Sequence, residues 1–189
     1  MRPILLTLAI VDLLAFGWTG ACGVLLDSSE GLRSHFTWGV ITTILFTFTH
    51  CLALFYLIGS ELDVKEALAE HPDLARKYVP WAKSLKRRAF PIASGAALAI
   101  VVAALSGAHV HSSLLIEARS RSIALGETPP LRDVEGWWVH GALVAVAFLL
   151  QLAALRVELA VVGENRRGID EINDILARRE ASEALPAGS

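Results

Sequence analysis

Four long apolar segments alternate with polar ones along the chain. They run over residues 4–26, 37–59, 90–111 and 137–161, and roughly 20 apolar residues in a helix cross the roughly 30 Å hydrocarbon core of a bilayer. Because lipid offers the backbone no hydrogen-bond partner, each segment is predicted to be a transmembrane helix. The pattern predicts an all-α integral membrane protein whose residues 1–163 form an antiparallel bundle of four transmembrane helices.

The polar segments keep apolar positions at helical spacing. In residues 60–89 these are Leu74, Tyr78, Trp81 and Leu85, a pattern that predicts a helical loop lying on the membrane surface, with Tyr78 and Trp81 at headgroup level. Residues 164–189 carry a second stripe, Ile169, Ile172, Ile175 and Leu176, which predicts an amphipathic helical tail. Such a stripe needs a partner, either the loop helices or another subunit.

The basic residues predict an orientation. Thirteen of the 17 Lys and Arg residues lie in the N-terminal segment, residues 60–89 and the C-terminal region, and four lie in the two other loops. The positive-inside rule therefore places both termini in the cytoplasm of a cell with a bacterial-type inner membrane. The first segment could instead be a signal peptide, but its length and the interruption at Asp12 favour an uncleaved anchor.

Composition agrees with a membrane protein and excludes several functions. The chain is 54% hydrophobic and 19% charged, with a mean hydropathy of +0.52, whereas soluble domains are about 25% charged. Cys22 and Cys51 fall at different depths, which argues against a disulfide or a CxxC redox pair. No phosphate loop, nucleophile elbow or metalloprotease helix is present, and nothing indicates nucleic-acid binding. Whether the protein is an enzyme stays open.

Three polar residues from three predicted helices fall near the middle of the membrane. Asp12, His50 and Gln151 lie within about 4 Å of mid-bilayer when each segment is centred there. A buried charge in lipid normally has a partner, so we expect Asp12 to accept a hydrogen bond from His50, with Gln151 closing the network. The network would serve as a proton relay, as support that orients a ligand histidine, or as a structural clasp that fixes helix register.

Four of the six histidines gather toward the outer end of the bundle. His109 and His140 fall at matching depth, about 13 Å outside mid-bilayer, as the two axial ligands of a b-type haem would. His111 and His35 lie further out, and together these side chains could instead bind zinc or copper. A pairing of His50 with a deeper His140 is a further alternative. Histidines at a membrane interface also occur without any ligand.

The stretch SGAHVHSS places His109 and His111 two residues apart. Residues i and i+2 of a helix point about 200° apart, so both cannot face one site while the helix continues. We expect His109 to point inward as a possible ligand and His111 to point toward water.

The order of these features resembles that of small four-helix membrane cytochrome subunits, without a shared signature motif. The resemblance implies an electron-transfer subunit with histidine-bound haem. One alternative is an accessory or scaffold protein that binds a partner through its loop and tail. Another is a proton-coupled carrier using Asp12 and His50. In each case the expected partners are the lipid bilayer and either other membrane subunits or further copies of the chain.

Overall fold

The computed structural model describes residues 1–24, 29–124 and 136–183, which are helical almost throughout. They form α1 (Arg2–Val24), α2 (Ser29–Ala67), α3 (Pro72–Ala124) and α4 (Trp137–Glu183), and no strand occurs among them. All four helices are long and apolar enough to cross a membrane, which confirms the predicted all-helical class. Residues 25–28, between α1 and α2, and residues 125–135, between α3 and α4, lie outside the described residues.

Three of the helices are much longer than a bilayer requires. α2, α3 and α4 contain 39, 53 and 47 residues, so at 1.5 Å per residue α3 spans roughly 80 Å. The chain does not break where the apolar segments end. α3 starts at Pro72, a residue well suited to the first turn of a helix, and continues past Pro80 and Pro91.

Side-chain contacts establish the relative directions of the helices. Contacts between α1 and α2 show that these helices run antiparallel. Thr19 contacts Thr42, and Cys22, which comes later in α1, contacts Ser34, which comes earlier in α2. Contacts between α3 and α4 do the same: Lys77 with Glu171, and Arg88 with Glu164. Contacts between α2 and α4 show that these helices run parallel, because later residues of α2 meet later residues of α4: His50 contacts Gln151, and Ser60 contacts Asn165. The four helices therefore form an antiparallel up-and-down bundle.

Small residues let α3 pack closely between α2 and α4. Ala89, Ala93 and Ala96 are fully buried, and Ala103 is nearly so. Small side chains allow helix backbones to approach one another closely. The core on either side of them is apolar, with Leu5, Leu57, Leu85 and Val161 at one end and Phe46 and Leu155 toward the other.

The bundle exposes large apolar side chains on every helix. Leu14, Phe55, Leu98 and Leu149, one from each of α1 to α4, are each at least 65% exposed. Soluble proteins rarely expose wide apolar surfaces, whereas such a surface suits contact with lipid. The fold is thus consistent with a multi-pass membrane protein.

Three of the helices continue beyond the start of α1 and form an extension of the bundle. The extension consists of the end of α2, the beginning of α3 and the end of α4, within residues 60–88 and 163–183. Its core consists of Val64, Leu68, Tyr78, Ala82 and Ile172. Ile169, Ile175 and Leu176 pack against this core, so the apolar stripe of the tail is covered by the chain's own loop helices. Tyr78, predicted to lie at headgroup level, has a side chain that is 3% exposed and packs inside the extension.

Candidate functional site

A buried polar cluster centred on His50 joins α2 to α4. The His50 side chain is 1% exposed and lies between Gln151 and Glu158, both fully buried. His50 Nδ1 is 2.9 Å from Glu158 Oε1, and His50 Nε2 contacts Gln151 Oε1. Gln151 Nε2 donates to the carbonyl oxygen of Ala96 at 2.8 Å, which orients the amide and leaves its oxygen facing His50.

These contacts determine the position of one proton on His50. The Gln151 oxygen can only accept a hydrogen bond, so His50 Nε2 must carry a hydrogen. The second bond, between His50 Nδ1 and Glu158 Oε1, then holds one further proton. Either His50 is an imidazolium facing a carboxylate, or Glu158 is a carboxylic acid donating to a neutral ring.

Asp12 lies beside this pair without a hydrogen bond to it. Its side chain is fully buried and interacts electrostatically with His50. Within the described part of the chain, the Asp12 oxygens, Thr49 Oγ1 and Glu158 Oε2 form no hydrogen bond of good geometry. The Thr49 hydroxyl and the His50 ring are polar groups that interact with the Asp12 carboxyl. The predicted acceptor for His50 was Asp12; in the structure the bonding carboxylate is Glu158.

Sequence analysis did not include Glu158 in this cluster, because centring residues 137–161 in the bilayer puts Glu158, like Arg156, where the helix reaches the inner headgroups. A signal was nevertheless present: Gln151, Glu158 and Asn165 follow one another at intervals of seven residues. Positions seven apart fall on one face of a helix. This face of α4 points into the bundle, and all three side chains are at most 1% exposed.

Two further groups of polar contacts lie where the extension begins. Ser60 Oγ donates to Asn165 Oδ1 at 3.1 Å, and Asn165 Nδ2 lies 3.2 Å from the Tyr56 hydroxyl. Glu61, 4% exposed, accepts a hydrogen bond from Lys65 at 2.6 Å and pairs with Lys86. The buried faces of α2 and α4 therefore carry polar side chains at several positions along the helices, and not only at His50.

Three histidines meet at the other end of the bundle, each from a different helix. The ring centroids of His35 and His111 are 5.1 Å apart, those of His111 and His140 are 6.1 Å apart, and those of His35 and His140 are 6.4 Å apart. They line one cavity of about 100 Å³ together with Thr19, Thr42 and several small or aromatic residues. The structure thus brings together three of the four predicted outer histidines.

The predicted rotation of α3 is wrong. His109 is exposed, whereas His111 is 6% exposed and lines the cavity. The pair predicted to ligate haem, His109 with His140, therefore does not face a common space. Nor is His50 free to pair with His140, because Glu158 and Gln151 occupy both of its ring nitrogens.

The dimensions of this cavity limit what it can hold. An apolar cavity of about 150 Å³ accommodates benzene, and a haem macrocycle is several times larger than benzene. A cavity of about 100 Å³ has room for a metal ion or a few waters. Among the described residues, no group of three or more His, Cys, Asp or Glu side chains is placed so that it could hold a metal ion.

Ion pairs on the extension join α3 to the end of α4. Arg179 donates to both carboxylate oxygens of Asp73, at 3.2 and 2.5 Å, and this holds the pKa of Asp73 at about 2, below the ordinary 3.8. Hydrogen bonds from Tyr78 and Lys77 likewise lower the pKa of Glu171. Because these carboxylates are exposed, water and salt screen the pairs and they stabilise the fold little.

No family model, no curated protein and no solved structure matches the chain.

Proposed function

We propose that this protein takes up and releases protons at a site formed by Asp12, His50 and Glu158, as a proton-coupled carrier or channel in a membrane. The observation that carries the proposal is the buried hydrogen bond between His50 Nδ1 and Glu158 Oε1, 2.9 Å long. Ionisable residues within membrane helices are rare, and they commonly mark ion pathways or proton relays.

Charge balance supports proton exchange at this site. If both carboxylates were ionised and His50 were cationic, the cluster would carry one uncompensated negative charge. A charge at the bilayer centre costs about 2.5–3.5 kcal/mol even on insertion scales. The neutral cluster therefore holds one proton between His50 and Glu158 and a second on the fully buried carboxyl of Asp12.

Apolar side chains separate the cluster from both ends of the bundle. Toward the outer cavity stand Phe16 and Phe46, whose rings meet edge to face with centroids 6.2 Å apart. Toward the extension stand Leu57 and Val161, both at most 2% exposed. Proton exchange would thus require the helices to move or the chain to oligomerise, because four helices enclose little space. The structure would correspond to the occluded state of such a cycle.

The test is proton flux into liposomes containing the purified protein, followed with an internal pH-sensitive dye. Glu158→Gln keeps an oxygen that can accept from His50 but removes the exchangeable proton, so we expect it to abolish the flux without unfolding the protein. Glu164→Gln is the matched control, since this glutamate of α4 pairs with Arg88 at the surface. Flux through the Glu158→Gln variant equal to wild type would reject the proposal.

Our proposal places both termini in the cytoplasm and the histidine cavity toward the outside. The distribution of Lys and Arg supports this orientation. A cysteine at the exposed position of Lys83, in a chain lacking Cys22 and Cys51, tests it. A membrane-impermeant maleimide should label that cysteine only after the cells are disrupted, and labelling of intact cells would reverse the orientation.

A second candidate function is a haem- or metal-dependent redox subunit. Its support is the meeting of His35, His111 and His140 in one cavity, since facing imidazoles can ligate iron. A b-type haem would require the cavity to widen. The measurement is an absorption spectrum of detergent-purified protein from haem-sufficient cells, before and after dithionite. An α-band that is lost in His140→Ala would support the redox function, and a colourless preparation would reject haem.

A further inference from the structure

We propose that His35, His111 and His140 bind one divalent transition-metal ion, of the zinc or copper class, in the cavity at the outer end of the bundle. The site shares no residue with the Asp12–His50–Glu158 cluster, so its test is independent of the proton site. It rests on the same three histidines as the second candidate function and specifies the metal-binding form of it. It also replaces the sequence-based prediction in two respects: His111 rather than His109 faces the cavity, and no haem is needed.

The first support is the orientation of His35. Its Nδ1 lies 2.8 Å from the backbone carbonyl oxygen of Thr19, and a carbonyl can only accept a hydrogen bond. Nδ1 therefore carries the hydrogen, and in a neutral ring Nε2 is left with a free lone pair. Metal-ligating histidines commonly show this arrangement, in which the nitrogen that does not bind the metal donates to a carbonyl or carboxylate.

The second support is a pair of buried nitrogen atoms. Nδ1 of His111 and Nδ1 of His140 are buried without a hydrogen-bond partner among the described residues. The His111 side chain as a whole is 6% exposed. A buried polar atom left without a partner is costly and calls for an explanation. A metal ion between these rings would coordinate both nitrogens and so remove the cost of leaving them without a partner.

The third support is the spacing of the rings. With a metal–nitrogen distance of about 2.0–2.1 Å, two imidazoles at a tetrahedral angle have centroids about 5 Å apart. The His35–His111 distance of 5.1 Å already fits, and the other two, 6.1 and 6.4 Å, exceed it by about 1 Å. Among the described residues no three side chains are placed to hold a metal, so the proposal requires the His140 ring to rotate toward the other two when the ion binds. Three histidines leave a fourth position for water or an exchangeable ligand, which the cavity has room to hold.

Two glycines make the space for these rings. A Cβ atom at Gly23 would lie 2.7 Å from Cε1 of His35, and one at Gly107 would lie 2.7 Å from Cε1 of His140. Real Cβ atoms do not approach other atoms this closely, so an alanine at either position must displace the neighbouring ring. Gly107 is thus a positioning residue for His140, and its substitution perturbs the site without removing any histidine.

The test is titration of the full-length protein, purified in detergent without a polyhistidine tag, with zinc chloride followed by calorimetry. We expect one ion to bind per chain. His111→Ala and His140→Ala should each weaken binding by more than about 100-fold, exceeding the roughly 10–100-fold effect of losing an outer-shell group. His109→Ala, two residues away on the exposed face of the same helix, should bind zinc like wild type.

Gly107→Ala keeps all six histidines and should also weaken binding, which separates a loss of geometry from a loss of ligands. A helical circular dichroism spectrum and a monodisperse elution profile show whether each variant is folded. If a histidine variant does not fold, Gly107→Ala tests the site in its place. Repeating the titration with Cu²⁺ identifies the preferred metal, and either metal bound through His111 supports the site. Absent binding of both metals, or binding that depends on His109 as strongly as on His111, would overturn the proposal.

Discussion

Removing His50 and Glu158 singly and together measures whether their contact is an ion pair. Both side chains are at most 1% exposed, and their nearest polar atoms are 2.9 Å apart. His50→Ala leaves a buried carboxyl without its partner, and Glu158→Ala leaves a buried imidazole without one. The double variant removes both groups, so the double-mutant cycle isolates the coupling free energy between them.

The expected coupling follows from the geometry. Two unit charges 2.9 Å apart attract by about 6 kcal/mol at an effective dielectric constant of about 20. Desolvation offsets part of this, and breaking a buried ion pair costs about 3–5 kcal/mol. Neutral side-chain hydrogen bonds between membrane helices instead average about 0.6 kcal/mol and reach about 1.7 kcal/mol. We therefore expect a coupling of about 3 kcal/mol at neutral pH.

The assay is reversible unfolding in bicelles, by steric trapping or by added dodecyl sulfate, for wild type and the three variants. Each free energy of unfolding is measured under one lipid composition, and the coupling is obtained from the four values. A coupling below about 1 kcal/mol would refute the ion pair, since it would fall in the range of neutral hydrogen bonds. Glu158 would then be an uncharged clasp between α2 and α4.

Two further predictions concern the extension. Gly168→Ala should destabilise the protein by about 1–3 kcal/mol, because the added Cβ would lie 2.0 Å from Cη2 of Trp81. Gly141→Ala is the control, since a Cβ there has no atom within 4 Å. Equal melting temperatures for the two variants would contradict the packing of Trp81 against Gly168. The lowered pKa of Asp73 means that its ion pair contributes stability above pH 3.8 and loses it as the pH falls toward about 2. The melting temperatures of wild type and Asp73→Asn should therefore differ by the same small amount at all higher pH values and converge in acid, and a difference that changes near neutral pH would contradict the assignment.

The apolar segments alone were sufficient to predict four helices of membrane-spanning length. A run of 20 or more apolar residues has few other stable forms, because lipid cannot satisfy an open backbone. The helical spacing of Ile169, Ile172 and Ile175 likewise predicted the tail helix. These features depend on residues near one another in the sequence, so local pattern is enough to determine them.

Helix rotation could not be predicted in the same way. The sequence shows that His109 and His111 point in different directions but not which of them faces the bundle. That choice depends on which side of α3 packs against α2 and α4, and the buried alanines Ala93, Ala96 and Ala103 decide it. His111 lies on the same buried face of α3 as these alanines, whose small side chains let the backbones of α2 and α4 approach closely.

The partner of His50 was decided by the tertiary structure as well. Centring each apolar segment in the bilayer put Asp12 level with His50 and put Glu158 near the headgroups. That procedure treats each helix as independent, whereas α2 and α4 continue into the extension and pack there through Val64, Leu68 and Ile172. The relative axial positions of long helices are set by contacts along their whole length. The sequence thus determined which segments are helices and which side chains could carry protons or metal, and only packing decided which of those side chains meet.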